Sequence, residues 1–213
     1  MRPQPGCRHR QRRGAEVRAG PAPGPRVTYR VAAAAARHRR VRGRAVTRLA
    51  LQFMTLTFVR TTEMIQARWG EIDEAEAEWR IPADRTKMRD PHIVPLSTQA
   101  LAVLAELREI TGHRDYLFYS PRRKTGHISN KTVLYALYRM GYHSRMTGHG
   151  FRGVASTALN ELRFRPDVIE RQLAHVERNK VRAAYNHAQY LAERRDMMQA
   201  WADHVTTMLQ SEK

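Results

Sequence analysis

Residues 149–187 run HGFRGVASTALNELRFRPDVIERQLAHVERNKVRAAYNH, and the architecture turns on how they are parsed. His149 and Arg152 stand three apart, so on a helix they project from the same side of one turn. Arg152 then opens an apolar run with Ala155, Ser156, Leu159 and Leu162, which predicts a helix over 151–162. A cation in the first turn opposes the helix dipole. An arginine placed there predicts an anion nearby. Pro166 to Ala174 reads as a second helix, and His175 follows it. Lys180 to Tyr185 is a third helical candidate, and Tyr185 lies ten residues beyond His175.

Upstream, the texture is globular from about Leu49. Leu49 to Val59 is apolar enough for a buried helix, and after a break at Arg60, Glu63 to Trp69 reads as a second, capped by Thr61 or Thr62. Two β-rich runs follow, Glu78 to Pro82 and His92 to Leu96, separated by a polar loop with Lys87, Arg89, Asp90 and Pro91. They predict an antiparallel hairpin. Leu101, Leu104 and Leu107 give helical spacing to Thr98–Thr111, with Gly112 as its stop. Asn130 to Met140 and Ala192 to Leu209 are further helices. In the latter, Met197, Trp201, Val205 and Met208 form one apolar face, suited to packing on its own domain or on a neighbouring protomer. The fold class is α+β, mostly α-helical, with one small antiparallel sheet.

The formal net charge of +18 favours a polyanionic partner. Its distribution qualifies that reading. Residues 1–50 hold fourteen Arg, no Lys and a single acid, Glu16, and so carry +13. Residues 1–48 therefore read as a separate basic segment, disordered by composition, and 49–213 as the folded domain. The segment fits a basic arm on DNA phosphates, a solvated tail, or a stretch translated from a shifted frame of GC-rich DNA. A lone cysteine, Cys7, leaves no internal disulfide and no thiolate cluster, and a reducing compartment fits. His9, His38, His113 and His127 lack metal-ligand spacing, and no apolar run is long enough for a membrane span.

His149-x-x-Arg152, then Leu173-Ala174-His175, then Tyr185 resembles the C-terminal half of the tyrosine recombinase (phage integrase) catalytic domain. The wording of 172–187 is most similar to prophage integrases of the P4-like branch. The N-terminal half matches as well: Arg60 followed by Glu63 and Arg68-Trp69, and Lys87 within Arg85-Thr86-Lys87-Met88. The resemblance spans about residues 50–205 and implies the tyrosine recombinase catalytic-domain fold.

It also implies site-specific DNA integration and recombination through a 3′-phosphotyrosyl intermediate, with Tyr185 as nucleophile. Tyr190 and Tyr138 are its rivals, and the spacing from His175 favours Tyr185. Arg60 and Arg152 would hold the non-bridging oxygens, since a guanidinium offers two parallel donors and stays charged. Lys87 would protonate the leaving oxygen, with Arg89 as the rival for that role. His149 would serve as base or shuttle, and His175 as a further phosphate donor. Arg122, Arg123 and Lys124 suit backbone phosphates or a solvated loop.

The implied partners are a double-stranded attachment site and other integrase protomers, as a tetramer on DNA. The resemblance implies no metal, no small-molecule cofactor and no membrane, and a bacterial cytoplasmic, nucleoid-associated setting. Such integrases carry DNA-binding domains upstream, and nothing in 1–48 resembles one. Thr61-Thr62 also replaces the family's small or Pro-Gly-like turn. The alternatives are a truncated remnant that binds DNA or partner integrases without recombining it, and a type IB topoisomerase-like activity.

Overall fold

The computed structural model describes residues 45–87, 89–143, 145–175 and 190–210. Residues 1–44 and the expected helix Lys180–Tyr185, with Tyr185 itself, lie outside the described residues.

The first helix, α1 (Ala45–Thr57), opens four residues before Leu49 and runs through the middle of the fold. Its C-terminal two thirds is buried on nearly every side, with Leu49, Ala50, Leu51, Phe53, Met54 and Leu56 in the core. Thr55 and Thr57 survive in this interior because each hydroxyl donates to the carbonyl four residues back, at 2.9 and 2.7 Å. Around α1 pack α3 (Thr98–Thr111), α4 (Asn130–Arg139) and α7 (Leu191–Gln210). Phe53 of α1 meets Trp79 and Phe118 at ring-centroid distances of 5.6 and 5.9 Å.

The second helix departs from expectation. It is a single turn, α2 (Thr61–Ile65), and its N-cap position is Arg60 rather than either threonine. The Glu63 carboxylate accepts from the Arg60 backbone N–H at 3.1 Å, which starts the helix earlier than a threonine cap would. Trp69 leaves the helix to begin a 3₁₀ turn, Trp69–Glu71, and its indole N–H donates to Thr111 O at 3.0 Å. The expected hairpin is present as β2 (Glu78–Ile81) and β3 (His92–Pro95), paired Trp79 to Val94 and Ile81 to His92. A two-residue strand, β1 (Ile72–Asp73), extends the sheet to the order β1-β2-β3, all antiparallel.

A second apolar cluster joins α5 (Gly150–Glu161), α6 (Pro166–Gln172) and α7. Ala155, Leu159, Val168, Ile169, Met197 and Trp201 belong to it, and so does Phe58, which the end of α1 pushes across. The apolar stripe on α7 is satisfied within this domain: Met197, Trp201 and Val205 are buried, whereas Met208 is exposed. The Trp201 indole donates to Thr55 O at 2.9 Å and ties this cluster to α1.

Arg194 of α7 is fully buried where α7, α6 and β3 meet, and donates to the Gln172 side chain at 2.7 and 3.0 Å and to Ile93 O. Beside it His92 of β3 is buried, and its pKa is held down to about 3. Burial is the main cause, and Arg194, Arg171 and Arg60 act the same way against a backbone hydrogen bond at Gln172. In the unfolded chain a histidine takes its proton near pH 6.5, while the folded chain refuses it down to about 3. His92 thus favours the fold fully above pH 6.5 and progressively less as pH falls toward 3. The expected penalty is about 1.4 kcal/mol per pH unit, so about 2 kcal/mol at pH 5. Urea denaturation of the protein and of His92→Gln at pH 7.5 and 5 measures it. The variant is expected to lose less stability between the two pH values by about that amount.

Candidate active site

The two apolar clusters meet along a seam, and three of the expected site residues lie on it. Arg60 enters from the α1–α2 junction, Arg152 from the first turn of α5, and His175 from the chain leaving α6.

The end of α6 organises the seam. Ala174 has φ +48°, the left-handed region, and it closes the helix as a Schellman motif. The His175 N–H donates to Glu170 O at 3.1 Å and the Ala174 N–H to Arg171 O at 3.1 Å. Glycine usually occupies such a position, and alanine there is strained by about 1 kcal/mol. The turn leaves two carbonyls facing the arginines. Leu173 O accepts from Arg152 Nη2 at 2.6 Å, and Ala174 O accepts from Arg60 Nη2 at 2.9 Å. One helix end thereby holds both guanidiniums.

A second left-handed residue completes the arrangement. Phe58 has φ +39°, is wholly buried, and meets Trp201 edge-on with centroids 6.0 Å apart. Its carbonyl accepts from Arg152 Nη1 at 3.1 Å. Arg152 thus ties the end of α1 to the end of α6. Burial pushes its pKa down to about 10, with Arg60 adding to the shift and Glu63 and Glu170 opposing it, so it stays protonated at neutral pH. Its Nε is buried with no hydrogen-bond partner among the described residues.

His175 is exposed and lies between a cation and an anion. Its Nε2 stands 3.1 Å from Arg152 Nη2, and its Nδ1 2.7 Å from a Glu170 carboxylate oxygen. A guanidinium only donates, so Nε2 accepts in the neutral ring, and the Nδ1–H donates to Glu170. Protonation would turn both ring nitrogens into donors. Arg60 is balanced by Glu63, whose carboxylate accepts from Nη1 at 2.8 Å.

His149 does not share the environment of Arg152, although the two are one helical turn apart. It takes the N-cap position of α5 and is exposed, while Arg152 is buried. Gly148 brings it near the Arg60 turn: a Cβ there would stand 2.2 Å from Thr61 Oγ1, so a larger residue would force the threonine side chain to move. Lys87 is exposed in the loop between β2 and β3. Its neighbour Arg89 is also exposed, with φ +56°. Arg122, Arg123 and Lys124 are exposed on a turn closed by Ser120 N–H to Gly126 O at 3.0 Å. Two further residues belong beside these candidates, and neither was singled out for a role from the sequence. Glu170 reaches His175 only because the chain leaves the helix between them, and Arg85 lies under the lysine loop.

The chain matches the Phage integrase family over residues 31–191, and it belongs to that family. It is 48% identical over 159 residues to "Prophage integrase IntA" of Escherichia coli K12, covering 75% of this chain and 38% of that one. It is 46% identical over 180 residues to the integrase of Enterobacteria phage P4, covering 77% of this chain and 41% of that one. The chain thus spans about two fifths of these curated relatives. The integrase from mycobacterium phage Brujita shares the fold, with a TM-score of 0.64 at 16% identity over 93% of this chain and 67% of that one. So does XerA recombinase, with a TM-score of 0.55 at 17% identity over 83% and 62% of the two chains. No helix among the described residues is long and apolar enough to cross a membrane.

Proposed function

We propose that this chain is the catalytic domain of a tyrosine-type site-specific recombinase that cuts and rejoins double-stranded DNA at an attachment site. The observation that carries the reading is the convergence of Arg60, Arg152 and His175 on one helix end, in a member of the phage integrase family. Two guanidiniums side by side suit the non-bridging oxygens of a phosphodiester, whose charge grows in the transition state.

In this reading the Tyr185 phenolic oxygen forms a bond to the scissile phosphorus and the bond to the 5′-oxygen breaks. His149 takes the phenolic proton, and Lys87 gives one to the departing 5′-oxygen. His175 adds a donor to the phosphate. The phosphotyrosyl ester conserves the bond, so attack by a 5′-hydroxyl restores the DNA and frees the tyrosine. Arg89, Arg122, Arg123 and Lys124 take backbone phosphates. Further copies of the integrase assemble on the DNA as a tetramer, in the bacterial cytoplasm at the nucleoid.

The test is covalent trapping. The protein is incubated at low salt with a nicked substrate from its own attachment site, since phosphate contacts weaken steeply with salt. A denaturation-resistant adduct is expected, and peptide fragmentation is expected to place the nucleotide on Tyr185. An adduct on Tyr190 overturns the assignment of the nucleophile. No adduct at high protein concentration overturns the catalytic reading in favour of a DNA-binding remnant.

A further inference from the structure

We propose that Arg85 is a positioning residue that fixes the Lys87 loop against the helix carrying Arg60. The inference rests on the reading of Lys87 as the acid that serves the leaving oxygen. Arg85 ends a 3₁₀ turn, Ala83–Arg85, two residues before Lys87. Its side chain points away from solvent into a three-way junction. Nη2 donates to Glu63 O at 2.7 Å and Nη1 to Gln66 O at 2.6 Å. Nη1 also pairs with the Glu71 carboxylate, and both side chains of that pair are almost wholly buried.

The carbonyls of Glu63 and Gln66 belong to the last turn and C-cap of α2, the five-residue helix that starts after Arg60. A single turn has little stability of its own and leaves its final carbonyls without partners. A guanidinium supplies those partners and suits the negative end of the helix. Glu71 completes the junction, because its other oxygen accepts from the Trp79 indole N–H at 2.9 Å. Arg85 thereby joins α2, β2 and the loop.

On the far side of Arg85 the loop closes on itself. Thr86 is buried, and its hydroxyl lies 3.1 Å from Ala83 O and 2.8 Å from Asp90 O. The Arg85, Thr86 and Arg89 N–H groups donate to Pro82, Ala83 and Thr86 carbonyls at 3.1, 3.3 and 3.3 Å. Lys87 is therefore an exposed side chain on a backbone clamped from beneath, although hairpin loops are commonly mobile. An acid shared with Arg60 across one phosphate needs that register, because a displacement of about 1 Å costs on the order of 100-fold in rate.

Arg85→Met and Glu71→Gln in the full chain test the clamp. In hydrogen exchange without DNA, the Arg85, Thr86 and Arg89 amides are expected to exchange about tenfold faster or more in both variants, with α3 unchanged. Unchanged loop exchange overturns the proposal. Equal acceleration in α3 for both variants also overturns it, since the clamp would then serve the whole fold.

The second arm uses a nicked substrate whose scissile 5′-bridging oxygen is sulfur, a leaving group that departs without a proton. Arg85→Met is expected to lose about 100-fold on the oxygen substrate and to come within about threefold of the unmodified protein on the sulfur substrate, as Lys87→Ala does. Equal loss on both substrates overturns the positioning role. If Lys87→Ala itself shows no recovery on sulfur, the reading of Lys87 as the acid falls, and the exchange measurement alone decides whether Arg85 holds the loop.

Discussion

Arg152→Ala is expected to lower adduct formation by about 10²- to 10³-fold, the loss typical when one preorganised donor to a developing oxyanion is removed. It is also expected to weaken the fold. The carbonyls of Phe58 and Leu173 lose their partner in a buried place, and each orphaned group costs about 1–3 kcal/mol. Part of that is returned, because the guanidinium is itself disfavoured by burial and by Arg60. Arg152→Lys separates the two effects. A lysine keeps the charge but cannot bridge Phe58 O and Leu173 O with a planar fork of donors. It is expected to recover part of the stability in urea denaturation and little of the cleavage. Full cleavage by Arg152→Lys would contradict a role in bidentate phosphate recognition.

Trp201→Ala is expected to cost about 3–5 kcal/mol in the same denaturation measurement. The ring is fully buried, packs edge-on against Phe58 and donates to Thr55 O. The consequence reaches the candidate active site through Phe58. That residue holds a backbone conformation unusual for a bulky side chain, and Trp201 is among the groups that keep it there. Once the ring is gone, Phe58 is free to relax and its carbonyl leaves Arg152. Cleavage is therefore expected to fall even under conditions where the variant is fully folded. Trp201→Phe retains most of the contact and loses the indole hydrogen bond, for an expected cost of about 1–2 kcal/mol. A stability loss in Trp201→Ala with cleavage unchanged would break the proposed link.

Where apolar spacing dominated, the sequence was legible. Thr98–Thr111 forms as its leucine spacing and Gly112 predict, and the helices over 151–162 and 166–174 appear within two residues at each end. Reading failed where a side chain reset a boundary. Glu63 folding back on the Arg60 N–H starts α2 early, and Trp69 turning to Thr111 ends the helical run before the ring. A strand of two residues, Ile72–Asp73, is too short to show alternation. Among the candidate site residues, Arg60, Arg152 and His175 were singled out by type, order and spacing, and the structure brings these three together. Their actual junction was not legible, because its turn uses Ala174 rather than the glycine that marks a left-handed helix end. The carboxylate behind His175 was hidden for a related reason: a separation of five residues is not a helical contact distance.

The choice of anchor for the two arginines affects what they offer a phosphate. A carboxylate would grip a guanidinium at least as firmly, but it would also cancel the positive field that an incoming anion feels. Backbone carbonyls grip with a dipole and leave the full charge in place. At this seam three of the anchors, on Phe58, Leu173 and Ala174, are neutral, and Glu63 is the one carboxylate that contacts either guanidinium among the described residues. The carbonyls hold the pair still without adding a negative charge of their own, while Glu63 pairs with Arg60 and Glu170 acts on Arg152 from behind His175. Firm placement and an open electrostatic claim on an anion come from the same few peptide groups.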